Sequence, residues 1–161
     1  MISQWKEFAV QIDKAMDALT HGVYVLGVHT PQKDNLMTAA WLCQVSGRPP
    51  MIAAAVSASY LTAELIKQAG SFTVSVLRPE QKTLAVLNGT VTGRKKDKLA
   101  ETCTHMGALG HPVVDEAAAV LECRVTDTVQ ASDHVVFIAE VVSGERFSGE
   151  PLMYRKKEFF S

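Results

Sequence analysis

Two β-rich runs, Ala119–Val129 and His134–Val142, are separated only by the four residues Gln130–Asp133, the sequence QASD. So short a connection joins strands of opposite direction, and the pair is expected to form an antiparallel hairpin. The remaining β-like segments are short and closely spaced. Val23–Val28 is an apolar run followed by turn residues at Thr30–Asp34, and a further strand begins near Leu36. Pro49 and Pro50 close that strand, because proline cannot donate into a sheet ladder, so Met51–Val56 must be a new strand beyond them. Phe72, Val74 and Val76 alternate with Thr73 and Ser75, the pattern of a half-buried strand, and Leu152–Tyr154 supplies a last short one.

Helical signals are fewer. Trp5, Phe8, Ile12, Ala15, Met16 and Leu19 recur at three- and four-residue steps and give a helix over residues 3–19 one apolar stripe that must pack on something. A second helix is expected over Ser59–Gln68, stopped by Gly70, and a third over residues 79–87 with Pro79 at its start, where a missing N–H matters little. Residues 88–112 read as an excursion punctuated by glycines, partly helical near Lys98–Cys103. Strands outnumber helices without alternating with them, which favours an antiparallel barrel with peripheral helices over a doubly wound sheet. At 161 residues the chain suits one domain spanning 1–161.

Charge and cysteine usage narrow the function. With 16 basic and 17 acidic residues the net charge is −1, which provides no general field for nucleic acid or anionic membranes. Cys43, Cys103 and Cys123 are odd in number and widely spaced, so a reducing, cytoplasmic setting is expected rather than a disulfide framework. His21, His29, His105 and His111 lack spaced carboxylate or thiol partners, and no metal site is expected. No apolar run is long enough to span a bilayer.

The stretch Asn35–Thr62 carries the chemistry. Asn35, Thr38, Ala39, Ala40 and Trp41 can bring backbone N–H and C=O groups close to a flat ligand, since alanine side chains do not hold it away. Ser57, Ser59 and Thr62 gather hydroxyls at a helix start, whose open N–H groups attract an anion. A small-sided surface with a phosphate-type anchor nearby suits a mononucleotide such as a flavin. Arg94, Lys95, Lys96 and Lys98 form the densest cation run, and Lys98 is included with the anchor. Taken singly, these features also suit a sheet contact, a plain helix cap and a solvated charge run.

Six segments together resemble the flavin reductase-like, FMN-binding split-barrel family of NAD(P)H:flavin oxidoreductases: LTHGVYVLGV, NLMTAAWLCQVSGRPPMIAAAV, SASYLTAELIKQAGSFTVSVL, DKL at 97–99, LECRV at 121–125 and SDHVVFIAEVV at 132–142. The resemblance covers roughly residues 16–154. It implies a mainly β, antiparallel Greek-key split β-barrel that is usually a homodimer and holds FMN near the subunit interface. It places Met37, Thr38, Ala39, Ala40 and Trp41 along the flavin ring, with Ser46, Ser57, Ser59 and Thr62 near the ribityl chain and phosphate. His134 matches the histidine of the family's Gly-Asp-His motif beside flavin and nicotinamide, a catalytic assignment set against a structural histidine at a hairpin start. Ser132 replaces the motif's glycine, which bears on the turn and on the reach of His134. The tail, Lys156, Lys157, Glu158 and Phe159, also departs from the family pattern and bears on substrate access. The implied function is FMN-dependent hydride transfer from the C4 of NADH or NADPH to flavin N5 and onward to a flavin, a partner oxygenase or another acceptor, with FAD as an alternative flavin. The rival reading is a non-enzymatic FMN-binding electron carrier or redox sensor; related barrels that bind pyridoxal phosphate or haem match the motifs less well.

Overall fold

The computed structural model describes residues 2–159, with side-chain surroundings from residue 5 onward. Its centre is a seven-stranded sheet in which every pairing is antiparallel. The strands are β2 (Tyr24–His29), β3 (Asp34–Ala39), β4 (Leu42–Gly47), β5 (Pro50–Ser57), β6 (Ser71–Val76), β9 (Ala119–Ala131) and β10 (His134–Arg146). Two-stranded pairs of β1 (His21–Gly22) with β11 (Met153–Tyr154), and of β7 (Thr104–Met106) with β8 (Pro112–Val114), flank it.

The spatial order β3-β2-β6-β9-β10-β5-β4 explains the barrel. Its outermost strands, β3 and β4, are separated by only Ala40 and Trp41 in the chain, so the two edges of the sheet are drawn together at that corner. No ladder joins them, and the barrel is therefore split there. The late hairpin β9–β10 inserts between β6 and β5, a Greek-key arrangement. Register shifts at Ile138/Ala139 and Val141/Ser143 interrupt this long hairpin, and such bulges bend strands around a barrel.

Two expectations are corrected here. The strand beginning near Leu36 does not run to Pro49; it breaks at Ala40–Trp41 into β3 and β4, and β4 returns along β5. β6 is not half-buried, since Phe72, Thr73, Val74 and Ser75 are all buried. β8 covers its outer face: the Thr73 hydroxyl donates to the Pro112 carbonyl at 2.6 Å, and the Val114 N–H donates to Ser75 Oγ at 2.9 Å. Hydroxyls that would suit water are satisfied by backbone instead. Gly27 is needed below this cover, because a Cβ there would strike the Pro112 carbonyl oxygen.

Inward residues of alternating strands form the main core, including Leu26, Met37, Val56, Phe72, Val74 and Phe137. Helix α2 (Leu61–Ala69) buries Ala63, Leu65 and Ile66 against it and ends at Gly70, whose φ of 68° lets its N–H reach the Ile66 carbonyl at 2.8 Å. Helix α3 (Lys82–Thr90) follows a 3₁₀ turn at Pro79–Gln81 and lies on β3, where Thr38 Oγ1 donates to the Ala85 carbonyl at 2.7 Å. Helix α1 (Ile2–Met16) has the expected stripe but no cover among the described residues: Trp5, Phe8 and Ile12 are 74%, 65% and 61% exposed. Among the described residues no helix is long and apolar enough to cross a membrane.

Candidate functional site

The split places small residues and aromatic rings around one cavity of about 260 Å³. Met37, Thr38 and Ala39 come from the end of β3, Ala40 and Trp41 from the link to β4, and Ala55, Val56 and Ser57 from the end of β5. Ala39, Ala40, Ala55, Ala85 and Gly89 add no bulk of their own to this lobe, which leaves room between the aromatic walls for a flat ligand. Thr38 Oγ1 is committed to the Ala85 carbonyl, so that hydroxyl proton is not available to a ligand.

His134 reaches the same cavity because β10 pairs with β5 in a register that sets His134 opposite Ser57. Its ring lies 4.8 Å from the Trp41 ring, centroid to centroid, and its side chain is 23% exposed. His134 Nδ1 stands 2.8 Å from Asp133 Oδ1. The exposed Asp133 carboxyl is held below its ordinary range first by this hydrogen bond and then by the imidazole's charge. An ionised carboxylate cannot donate, so Nδ1 carries the proton and Nε2 is left for a ligand. Ser132 adopts φ 54°, the left-handed conformation a glycine would supply, and its carbonyl accepts from Gln130 Nε2 at 2.7 Å. The hairpin turn therefore forms without glycine.

A second cavity of about 360 Å³ shares Met37, Tyr60, Gly89 and Thr90 with the first. Ser59, Thr62 and the first turn of α2 form one side; Gly89–Arg94 and Lys98 form the other. The helix starts at Leu61 rather than Ser59, and its N-cap, Tyr60, makes no side-chain cap. The serine hydroxyls expected there bond each other instead, Ser57 Oγ to Ser59 Oγ at 3.0 Å. Thr62 is buried and its Oγ1 accepts from Asn35 Nδ2 at 2.8 Å, which leaves its own proton free to donate.

Lys98 gives this lobe its charge. It is only 3% exposed, and its Nζ donates to the Asn88 carbonyl at 3.2 Å. Burial, with a smaller contribution from Lys33, lowers its pKa from 10.5 to about 8. No carboxylate pairs with it among the described residues. A buried ammonium facing a neutral carbonyl, beside uncapped helix N–H groups, fits a phosphate dianion. A phosphate here and a flat ring in the adjoining lobe fit FMN.

The expected site residues thus divide. Met37, Thr38, Ala39, Ala40, Trp41, Ser57 and His134 line the first lobe, while Ser59, Thr62 and Lys98 line the second with Met37 between them. Ser46 lies outside both. β4 runs back along β5, so Ser46 pairs with Met51, six residues and about 20 Å of strand from Ser57. In the basic run Arg94 lines the second lobe but pairs with Glu64, and Lys96 pairs with Glu101 at 2.6 Å away from it. Sequence reading missed Tyr60, Gly89 and Thr90; the glycine and hydroxyls of NGTVTG were the available signal. It also missed Tyr154 as a wall of the first lobe. Among the described residues no three His, Cys, Asp or Glu side chains gather as a metal site would require.

The family profile described as "Flavin reductase like domain" matches residues 16–161. The chain is 31% identical, over 92% of its length and 80% of the relative's, to the reductase component of 4-nitrophenol 4-monooxygenase/4-nitrocatechol 2-monooxygenase from Rhodococcus opacus. It is 34% identical to an uncharacterized protein from Archaeoglobus fulgidus over 69% of its own length, and spans only 64% of that relative. Among solved structures, the NADH:FAD oxidoreductase of Streptomyces globisporus superposes with a TM-score of 0.85 at 25% identity, covering 91% of this chain and 89% of the other. The FMN-binding protein of Thermus thermophilus gives 0.80 at 25% identity over 87% and 84%.

Proposed function

Because this chain belongs to the flavin reductase-like family, we propose that it is an FMN-dependent NAD(P)H:flavin oxidoreductase. The observation that carries the reading is the pair of connected lobes, one small-sided and flat, the other holding the buried, carboxylate-free Lys98. Bound FMN would supply the electron sink, its N5 accepting hydride from nicotinamide C4 before the electrons pass onward. The protein's part is positional. Lys98, the Thr62 hydroxyl and the first-turn N–H groups of α2 hold the phosphate; Ala39 and Ala40 admit the ring edge to close backbone range. His134, oriented through Nδ1 by Asp133, offers Nε2 as the catalytic residue beside the reacting rings. Ser57 lines one lobe and Ser59 the other with their hydroxyls 3.0 Å apart, so the pair would serve the connecting chain.

The Rhodococcus relative is an oxygenase's reductase component, which supports a partner oxygenase as one onward acceptor. A homodimer is proposed from α1, because a 15-residue helix with Trp5, Phe8 and Ile12 exposed is marginal alone and a second copy would cover its stripe. Light scattering should return twice the chain mass. The three free cysteines suit a reducing cytoplasm.

A second reading, an FMN-binding electron carrier, is favoured by the Tyr154–Phe159 aromatic pair at the first lobe. One experiment separates the two. Apoprotein is titrated with FMN, FAD and riboflavin, and the flavin complex is then mixed anaerobically with NADH or NADPH. Stoichiometric FMN uptake followed by bleaching of the visible absorbance is expected. Uptake without bleaching supports the carrier, and no uptake overturns both readings.

A further inference from the structure

The first lobe is walled mostly by groups bonded into the sheet or carried on α3. Met37–Ala39, Ala55–Ser57 and His134 belong to ladder-bonded strands, and Val23 is tied on both sides, its N–H to the Leu152 carbonyl and its carbonyl to the Leu77 N–H. Ala85, Val86 and Gly89 belong to α3, which is bonded to β3 through Thr38. Phe159 differs. It ends α4 (Lys156–Phe159), a single turn beyond β11, and is half-buried against Tyr154 with ring centroids 5.4 Å apart.

It also packs in part on the buried cluster that holds Val23, Leu77 and Ala85, and its remaining ties are at the surface. Lys82 Nζ sits 5.4 Å from the Phe159 ring centroid and 3.9 Å from Glu158, and Lys156 reaches Asp17 at 3.4 Å. These charged groups are all more than 40% exposed, and such pairs hold weakly. Hydride transfer, however, needs a second ring stacked on the first at about 3–3.5 Å. One wall must yield to admit it; the exposed Trp41 and Tyr60 stand on backbone bonded to neighbouring elements, the Trp41 carbonyl accepting from the Ala55 N–H and the Tyr60 N–H donating to the Ser57 carbonyl, whereas Phe159 is carried by a single helical turn.

We propose that Phe159 holds the nicotinamide's place in the first lobe and is displaced when NAD(P)H binds, so that this residue sets the apparent affinity for the electron donor. The inference rests on the flavin reading above. A ring that occupies the site most of the time reduces donor affinity by the fraction of time the site is open, and removing the ring restores it.

The test is stopped-flow reduction of the FMN-loaded protein by NADH and by NADPH, comparing wild type with Phe159→Ala, Phe159→Trp and Lys82→Met at saturating FMN. Phe159→Ala should lower the donor concentration for half-maximal rate about ten-fold with little change in the limiting rate. Lys82→Met loosens the ring without removing it and should move the same constant part of the way, while Phe159→Trp should hold it at or above the wild-type value. A half-saturating concentration that is unchanged or raised in Phe159→Ala overturns the inference and leaves the flavin reading intact. Wild-type protein that takes up no FMN overturns both.

Discussion

Replacing Lys98 with methionine should weaken FMN while making the empty protein more stable. The buried ammonium is shifted from 10.5 to about 8, which at about 1.4 kcal/mol per pH unit corresponds to roughly 3 kcal/mol of burial penalty at neutral pH. The sign follows from the lowered value. Between about 10.5 and 8 the unfolded chain binds the proton more readily than the folded one, so stability is lost as pH falls through that window and stays low below it. Lys98→Met removes the charge and keeps the stem, and urea melts at pH 7 should show a gain of up to about 3 kcal/mol. The bound phosphate loses a charge-assisted hydrogen bond of about 1.5–3 kcal/mol, a factor of about 10 to 150 in FMN affinity. Riboflavin, without the phosphate, should bind the variant and wild type alike. Wild-type FMN affinity should also fall toward ten-fold per pH unit above about 8, where the amine must regain its proton to pair with the dianion, whereas riboflavin affinity should not. Isothermal titration of both ligands from pH 7 to 9.5 reads all of this. Equal losses for FMN and riboflavin, or an FMN affinity within two-fold of wild type, would refute a phosphate at Lys98.

Three further outcomes are expected. His134→Ala should leave oxidised FMN affinity within a few-fold and slow flavin reduction about ten-fold or more; an unchanged reduction rate with lowered stability would make His134 structural. Thr62→Val should cost about 1–3 kcal/mol in urea unfolding because buried Asn35 loses its acceptor, and Thr62→Ser should retain most of the stability. His111 is held below the usual imidazole range mainly by burial and by neighbouring His29, with Glu122 and Asp34 opposing, so its contribution is full above about pH 6.5 and is lost as pH falls through its lower folded value. Its Nδ1 accepts from the His29 N–H at 2.9 Å and its Nε2 faces Ser71 Oγ at 2.7 Å, so the drop in urea midpoint between pH 7.5 and 5 should shrink in His111→Gln.

Local pattern sufficed for much of this protein. The short gap between two β-runs, narrowed in the fold to Ser132–Asp133, dictates the β9–β10 hairpin, Pro49–Pro50 part β4 from β5, and Gly70 ends α2, because turn chemistry, missing N–H groups and left-handed φ act within a few residues. The small residues of Met37–Trp41 and the hydroxyls before α2 are visible in the same way, whereas His134 stands out through the family resemblance. What local pattern does not carry is which strand lies beside which. The closure at Ala40–Trp41 sends β4 back along β5 and takes Ser46 away from the cavity, while the β10–β5 register brings His134 opposite Ser57 from 77 positions away. Of four cations in one run, only the fold of residues 91–103 decides that Lys98 is buried and that Lys96 pairs with Glu101 outside. The cover over β6, the bare stripe of α1 and the approach of Phe159 to the first lobe are likewise contacts between distant segments. Periodicity states that a face is apolar or a residue is charged; only the packed chain states what stands in front of it.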